Sequence, residues 1–314
     1  MPGPSLDALF TQSNFGIVTR MGVWLKRTPE AHQTLLLGLA KDADLEAGID
    51  TLRDLLLDGT LRGVPCMYPA PRNGALLLDL PVPQPRVWTE QALEEYGRET
   101  GLGRWAVRVG LWEDEEVRAH KAAKIKRLRE RIPGASVHEG RVYASHEYDQ
   151  ITTQTEKIHA GIPTLQLNEI TPANLGHVGF SPIAALRGSE VRYVVGQMRS
   201  RLTEHGILFS GGIFCDSARA AAVVLGIQFD RTDPDSVRNA FKVAHQLVGE
   251  IGAPGYGEYR AHLDFMDLAA DQYSFNDHAY RRFVEKLKDA IDPRGIISPG
   301  RHGIWPSTYR TDGE

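Results

Sequence analysis

Two stretches of this chain carry residues whose types and spacing suit chemistry. The first is the pentad Tyr256-Gly-Glu-Tyr-Arg260, which sets a phenol beside a guanidinium. The guanidinium stays protonated at any physiological pH. A tyrosine hydroxyl next to it donates a hydrogen bond to an oxygen or shares a proton with it. Together they suit an anionic oxygen such as a phenolate. The second stretch is Ser298-Pro-Gly-Arg-His-Gly-Ile-Trp-Pro306, close to the end of the chain. A Tyr-Arg dipeptide on its own is common at strand ends, so the surrounding elements decide what it means.

Those elements alternate strand and helix through the middle of the chain. Residues 15–25 read as an apolar strand, ended by Thr28-Pro29. His32 to Leu39 reads as extended. Asp42 to Leu57 reads as a helix with Leu45, Ile49, Leu52 and Leu56 on one face and Gly59 past its end. Pro65 to Pro85 is proline-rich and is expected to be irregular. Trp105 to Trp112 alternates as a strand. The helix after it runs from an acidic start at Glu113–Glu116 to a basic end, in the sense that complements a helix dipole. Its basic half reads as a solvated face, because Ile125, Leu128 and Ile132 anchor the other side. Residues 140–185 give few regular signals. A helix over Arg187–His205, strands over Ile207–Phe214 and Ala220–Phe229, and a helix opened by Asp233-Pro234 follow. The last helix is expected over Asp277–Ile291. This pattern predicts an α+β fold, an antiparallel sheet covered by helices. A strand as apolar as 15–25 needs partners on both sides. The two chain ends are therefore expected to pack together, or onto a further segment.

Composition bounds the function. The chain has 314 residues, a net charge of -4 and 42% hydrophobic residues. No global basic field is present to attract nucleic acid. No apolar run approaches the ~20 residues of a membrane span, and the first residues lack the pattern of a secretion signal. The only cysteines, Cys66 and Cys215, match no metal or redox spacing, so a reducing, cytoplasmic setting is the default. A periplasmic one follows if a longer parent carries a signal. No Gly-x-Gly-x-x-Gly after a strand, no His-Glu-x-x-His and no Gly-x-Ser-x-Gly elbow occurs. His177, among glycines, either lines a pocket or is a structural histidine. His262 shares a face with Arg260 if that stretch is a strand, and Asp264 reads as a cap or a salt-bridge partner.

The assembled motifs resemble the vanillyl-alcohol oxidase and 4-cresol dehydrogenase family of flavoproteins. The segments that carry the resemblance are Leu9 to Leu25, Gly103-Arg-Trp105, His177 to Pro182, Tyr256 to Leu263 and Asp292 to Pro306. It runs over essentially the whole chain. It implies a two-part FAD domain with a cap domain inserted between the parts: residues 1–27 as the end of the FAD-binding domain, 28–252 as the cap, and 253–314 as the return segment. It implies oxidation of a para-substituted phenol, a 4-alkylphenol or 4-hydroxybenzyl alcohol, bound as its phenolate. Hydride passes to FAD and a quinone methide results. Tyr259 and Arg260 match the family's phenolate-binding pair, and Glu258 the acidic residue preceding them. Arg301 falls where members place a cation near the flavin pyrimidine edge. Asn14, Gly16 and Ile17 lie in the segment that approaches FAD, although Gly16 serves equally for tight packing.

Two departures qualify the resemblance. The family's main FAD-binding segment should precede Leu9, and only Met1 to Ala8 does, so the split FAD-binding domain is incomplete and an N-terminal FAD-domain polypeptide is an expected partner. The cap strand Ser217 to Leu225 lacks the histidine or tyrosine that tethers FAD in many relatives, so FAD is expected to be held non-covalently. Cys215 as a substitute tether is set aside, since a lone thiol there reads as packing. Two readings stand: an FAD-dependent oxidoreductase needing that missing half, or an inactive cap module that binds a phenol or a protein. Oxygen or a cytochrome c as electron acceptor, and a homodimer, stay open.

Overall fold

The computed structural model describes residues 7–83, 86–166 and 171–310. The described residues divide into two compact units. One is Arg27–Ala244; the other joins the residues up to Lys26 with those from His245 onward.

In the larger unit, among the described residues, eight strands form an antiparallel sheet. They are β1 (Ala31–Leu39), β2 (Cys66–Pro69), β3 (Trp105–Leu111), β4 (Ser136–Ala144), β5 (Leu175–Phe180), β6 (Ile183–Ala185), β7 (Gly212–Phe214) and β8 (Ala220–Asp230). Their order is β4-β1-β3-β2-β7-β8-β5, with β6 also on β8. β3 is buried along its whole length, as expected of a strand covered on both faces. One sheet face carries Leu37, Leu39, Met67 and Val107. Against them lie Leu52 and Leu55 of helix α1 (Leu45–Leu57), Ile125 of α4 (Glu115–Lys126) and Leu128. Each such side chain contributes about 1.5 to 3 kcal/mol by leaving water. Alternate residues, His32, Thr34, Cys66, Tyr68, Ala106 and Arg108, therefore point to the opposite face. There α2 (Ala70–Leu77) and α6 (Gln154–Ala160) approach β1, β2 and β3. Between α4 and α6, the short helix α5 covers Leu128–Arg131.

The turn into β3 depends on a glycine. Gly103 has φ +76°, and a Cβ there would lie 2.6 Å from the Leu39 carbonyl oxygen. The close approach lets the Arg104 amide donate to that carbonyl at 2.7 Å. The Arg104 side chain, fully buried, pairs with Glu90 at the start of α3 (Glu90–Glu99) and lies 3.6 Å from Asp42. Arg199 of helix α7 (Gly188–Glu204) reaches the same two carboxylates at 2.9 and 3.0 Å. Burial pushes the Asp42 carboxyl up, but Arg199, Arg104 and the Trp105 indole together hold it below the usual range.

The antiparallel sheet covered by helices is as the sequence implies, with local corrections. Pro65 to Pro85 holds β2 and α2, because Pro69 closes a strand and Pro71 sits at a helix start where its missing N–H costs nothing. Residues 140–185 hold the end of β4, then α6, β5 and β6. β4 was hidden because His138 to Arg141 are exposed. The strand expected over 207–214 begins only at Gly212. On α1, Leu55 is buried in place of Leu56.

Helix α8 (Pro234–Gly252) contains the division between the units. Asp233 caps it, its side chain accepting from the Asp235 amide at 2.9 Å. In the smaller unit a short turn (Asp7–Phe10) leads into chain without regular structure, and α9 (Met266–Asp271) and α10 (Phe275–Ile291) follow. Asn276 to His278 have positive φ, so regular winding in α10 starts after them. Phe15, Val284 and Ile304 form the core, with Leu9, Phe10 and Leu287 against it. The chain ends thus pack on each other. Residues 15–25, however, form no strand: they lie outside any helix or sheet ladder, and Ile17, Met21, Val23, Trp24 and Leu25 are exposed. Among the described residues no helix is long and apolar enough to cross a membrane.

Candidate functional site

A cavity of about 620 Å³ opens in the smaller unit. Its wall includes Thr11 and Gln12 from the N-terminal turn, Glu258 and Tyr259 from the pentad, Tyr273 after α9, Tyr280 and Arg281 of α10, and His302 of the return segment. The return segment reaches the cavity through a run of left-handed residues, Ser298, Gly300, His302 and Gly303. A Cβ at Gly303 would lie 3.1 Å from the Met266 carbonyl oxygen. That space lets the His302 amide sit 3.2 Å from the Met266 sulfur.

Three phenols face this space. The Tyr273 hydroxyl donates to the Glu258 carbonyl at 3.0 Å, and burial pushes its pKa up. Its ring lies 6.3 Å from that of Tyr280. Tyr259 is half-exposed, and among the described residues its hydroxyl has no hydrogen-bond partner. Arg260 places its guanidinium carbon 5.7 Å from the Tyr259 ring centre. It is exposed and, among the described residues, makes no ion pair. His302 Nε2 lies 2.7 Å from the Gln12 carbonyl. Burial, then the neighbouring Arg301, hold its pKa below the ordinary value against the opposing bond to Gln12.

The pentad residues expected at a site separate into two groups. Glu258 and Tyr259 line the cavity and Glu258 is buried; Arg260 is adjacent but outside the lining. Arg301 is half-buried beside His302. Asn14 is fully buried: its amide donates to the Ser298 and Ile304 carbonyls at 3.2 and 2.9 Å, and its Oδ1 has no partner among the described residues. Gly16 packs tightly, since a Cβ would lie 2.8 Å from the Phe10 ring. Ile17 is exposed. The stretch 256–262 is not a strand, so the shared face expected of Arg260 and His262 does not form. His262 instead accepts from the Asp264 amide and caps a short turn. His177 lies exposed on β5. Tyr273, Tyr280 and His302 were not singled out as site residues. For His302 a signal existed, in its place beside Arg301 within the second motif.

The antiparallel sheet and its helical cover match the cap domain of solved flavoproteins. The resemblance drawn from the motifs is borne out by known proteins. The chain is 27% identical over 313 residues to the 4-cresol dehydrogenase [hydroxylating] flavoprotein subunit of Pseudomonas putida, across 96% of this chain and 58% of that one. It is 25% identical over 345 residues to a 1'-carboxy-chondrochloren decarboxylase of Chondromyces crocatus, across 97% and 62%. The structure of a 4-ethylphenol oxidase from Gulosibacter chungangensis in complex with isoeugenol superposes with a TM-score of 0.86 at 27% identity, across 99% of this chain and 61% of that one. The chain thus spans 58 to 62% of the length of these relatives. No family model matches it.

Proposed function

We propose that this chain supplies the phenolate-binding side chains of an FAD-dependent oxidoreductase acting on para-substituted phenols, 4-alkylphenols or 4-hydroxybenzyl alcohols. The observation that carries the reading is the Tyr259 hydroxyl, without a hydrogen-bond partner among the described residues, on a cavity of about 620 Å³, with Glu258 on the same wall and the Arg260 cation adjoining. Keeping a phenol ionised near neutrality takes about 3 to 4 kcal/mol. One close guanidinium and a hydrogen bond in a poorly solvated site suffice. In this reading Tyr259 donates to the substrate oxygen, Arg260 balances its charge, and Glu258 orders the pentad.

FAD suits a second group of residues, outside the cavity lining. Asn14 has a buried oxygen without a partner among the described residues, and Gly16 and Ile17 lie outside any helix or sheet ladder. Arg301 makes no ion pair among the described residues and offers a cation to the pyrimidine edge. When bound, FAD supplies the hydride acceptor. With no histidine or tyrosine over 217–225, FAD is held non-covalently in this proposal. Residues 28–252 are read as the cap, and 1–27 with 253–314 as parts of the FAD domain. The rest of that domain comes from a longer parent or a separate polypeptide.

The exposed apolar row Ile17, Met21, Val23, Trp24 and Leu25 favours such a partner. The same row fits the second reading, a non-catalytic module that docks on another protein. The test is to purify the chain with FAD, alone and with an FAD-binding half from a relative. A yellow complex bleached by 4-hydroxybenzyl alcohol under nitrogen supports the oxidoreductase. A colourless protein that still binds phenols supports the second reading.

A further inference from the structure

Arg108 lies at the centre of β3, opposite Leu36 of β1 and Cys66 of β2 in the ladder. It is only 5% exposed. Its Nε and Nη1 are buried with no hydrogen-bond partner, and among the described residues its guanidinium makes no ion pair. Burying an unpaired cation is costly, so such groups are normally paired. This fold does pair Arg104, four residues earlier, with Glu90 and Asp42. Arg108 has no such pairing among the described residues.

The groups in closest electrostatic contact with it are neutral or cationic. Tyr68 of β2 is coupled electrostatically to Arg108, Arg72 and Cys66. Burial pushes the Tyr68 phenol up to about 12 and the Cys66 thiol to about 11, so both stay neutral donors. Burial likewise holds His32 near 4 and His159 near 3, both uncharged at neutral pH. Arg72 of α2 is half-buried and makes no ion pair among the described residues. The Asp216 carboxyl acts on Cys66 and is itself pushed up by burial.

We propose that this sheet face is a seat for the carboxylate of a small aromatic acid, with Arg108 as its fixed counter-ion and Arg72 and Tyr68 at the rim. A planar guanidinium with unused N–H groups matches a carboxylate edge to edge. Cys66, Tyr68 and Arg72 are half-buried, so this side of the seat borders solvent. The T-shaped pair Tyr68–Phe214, with ring centres 5.8 Å apart, gives an aromatic wall. The seat lies within Arg27–Ala244 and does not rest on the phenol reading.

Benzoate binding to the 314-residue chain without FAD tests it, by calorimetry and by thermal melting. Benzoate at millimolar concentration should bind and raise the melting temperature. Arg108→Met should fold at least as stably, because it removes an unpaired buried charge, and should weaken benzoate at least about a hundredfold. Arg72→Met should weaken it roughly tenfold. Arg108→Gln serves if the methionine variant fails to fold. Benzoate affinity unchanged in the Arg108 variants, no benzoate binding to the unaltered chain, or equal affinity for inorganic phosphate overturns the proposal.

Discussion

His302 Nε2 donates to the Gln12 carbonyl at 2.7 Å, joining two residues that both hold left-handed backbone, with φ of 56° and 53°. A carbonyl only accepts, so the proton sits on Nε2. The bond ties the return segment to the N-terminal turn at the cavity wall. Left-handed backbone costs a non-glycine residue about 1 to 2 kcal/mol, so the contact is held against local strain.

That balance can be separated by substitution. His302→Ala keeps the strain and loses the bond; His302→Gly loses both. We expect the alanine variant to be the less stable of the two by about 1 kcal/mol, with His302→Asn between wild type and alanine, since asparagine tolerates this backbone. Urea denaturation of the three variants measures the order. Equal stability of the alanine and glycine variants would show that the backbone at 302 relaxes freely.

Lys288 makes a second tie across the same unit. Fully buried, its Nζ donates to the Asn14 and Ile297 carbonyls at 2.6 Å each and to Asp292 at 2.8 Å. Lys288→Met should cost about 3 to 5 kcal/mol, because it strands a buried carboxylate and two carbonyls. Asp292 is held at about 2, first by Lys288 and then by the Ile297 and Ile296 amides. A depressed carboxyl stabilises the fold above its unfolded value, near 4, and that contribution is lost as pH falls towards 2. Asp292→Asn should flatten the melting-temperature profile in that window.

The helices and central strands were legible because their periodicities are undisturbed. α1, α7, α8 and β3 each bury one repeating set, or all, of their residues. β2 and α2 were obscured by prolines that sit where proline does no harm. Residues 15–25 have the composition of a buried strand, but composition cannot say which chain supplies the neighbouring strands. Of the site, Glu258 and Tyr259 could be read from one local pentad. Tyr273, Tyr280 and His302 join them only through the folding of distant segments, and no spacing along the chain encodes that meeting.

The larger unit should carry its own pH dependence. His159, buried on α6, is lowered to about 3 by burial, then by Arg108 and His32; His32 is lowered to about 4 by burial. The unfolded chain takes up these protons near 6.5 and the fold resists them. Stability should therefore fall as pH drops from about 6.5 towards 4, with a limiting slope of about 1.4 kcal/mol per pH unit for each histidine. His159→Gln should remove roughly half of that slope while leaving stability above pH 7 less affected. An unchanged slope in the variant would place the titration elsewhere.

The pairing of Tyr259 with Arg260 can be tested without any redox step, through the chromophoric phenol 4-nitrophenol. If the pair holds a phenolate, binding to the chain must lower the apparent pKa of the dye, because Arg260 favours its ionised form and the Tyr259 hydroxyl donates to it. The yellow phenolate band should then appear at lower pH in the complex than in buffer. Arg260→Met removes the charge and should abolish the shift. Arg260→Lys should keep part of it, since a point charge attracts the oxygen but lacks the planar fork. Tyr259→Phe should reduce the shift by about one pH unit, the worth of one hydrogen bond to a charged oxygen. In an FAD-loaded form the same substitutions should slow flavin reduction by roughly 10- to 100-fold. A dye shift that survives Arg260→Met would take the phenolate away from this cation, whatever the fate of FAD.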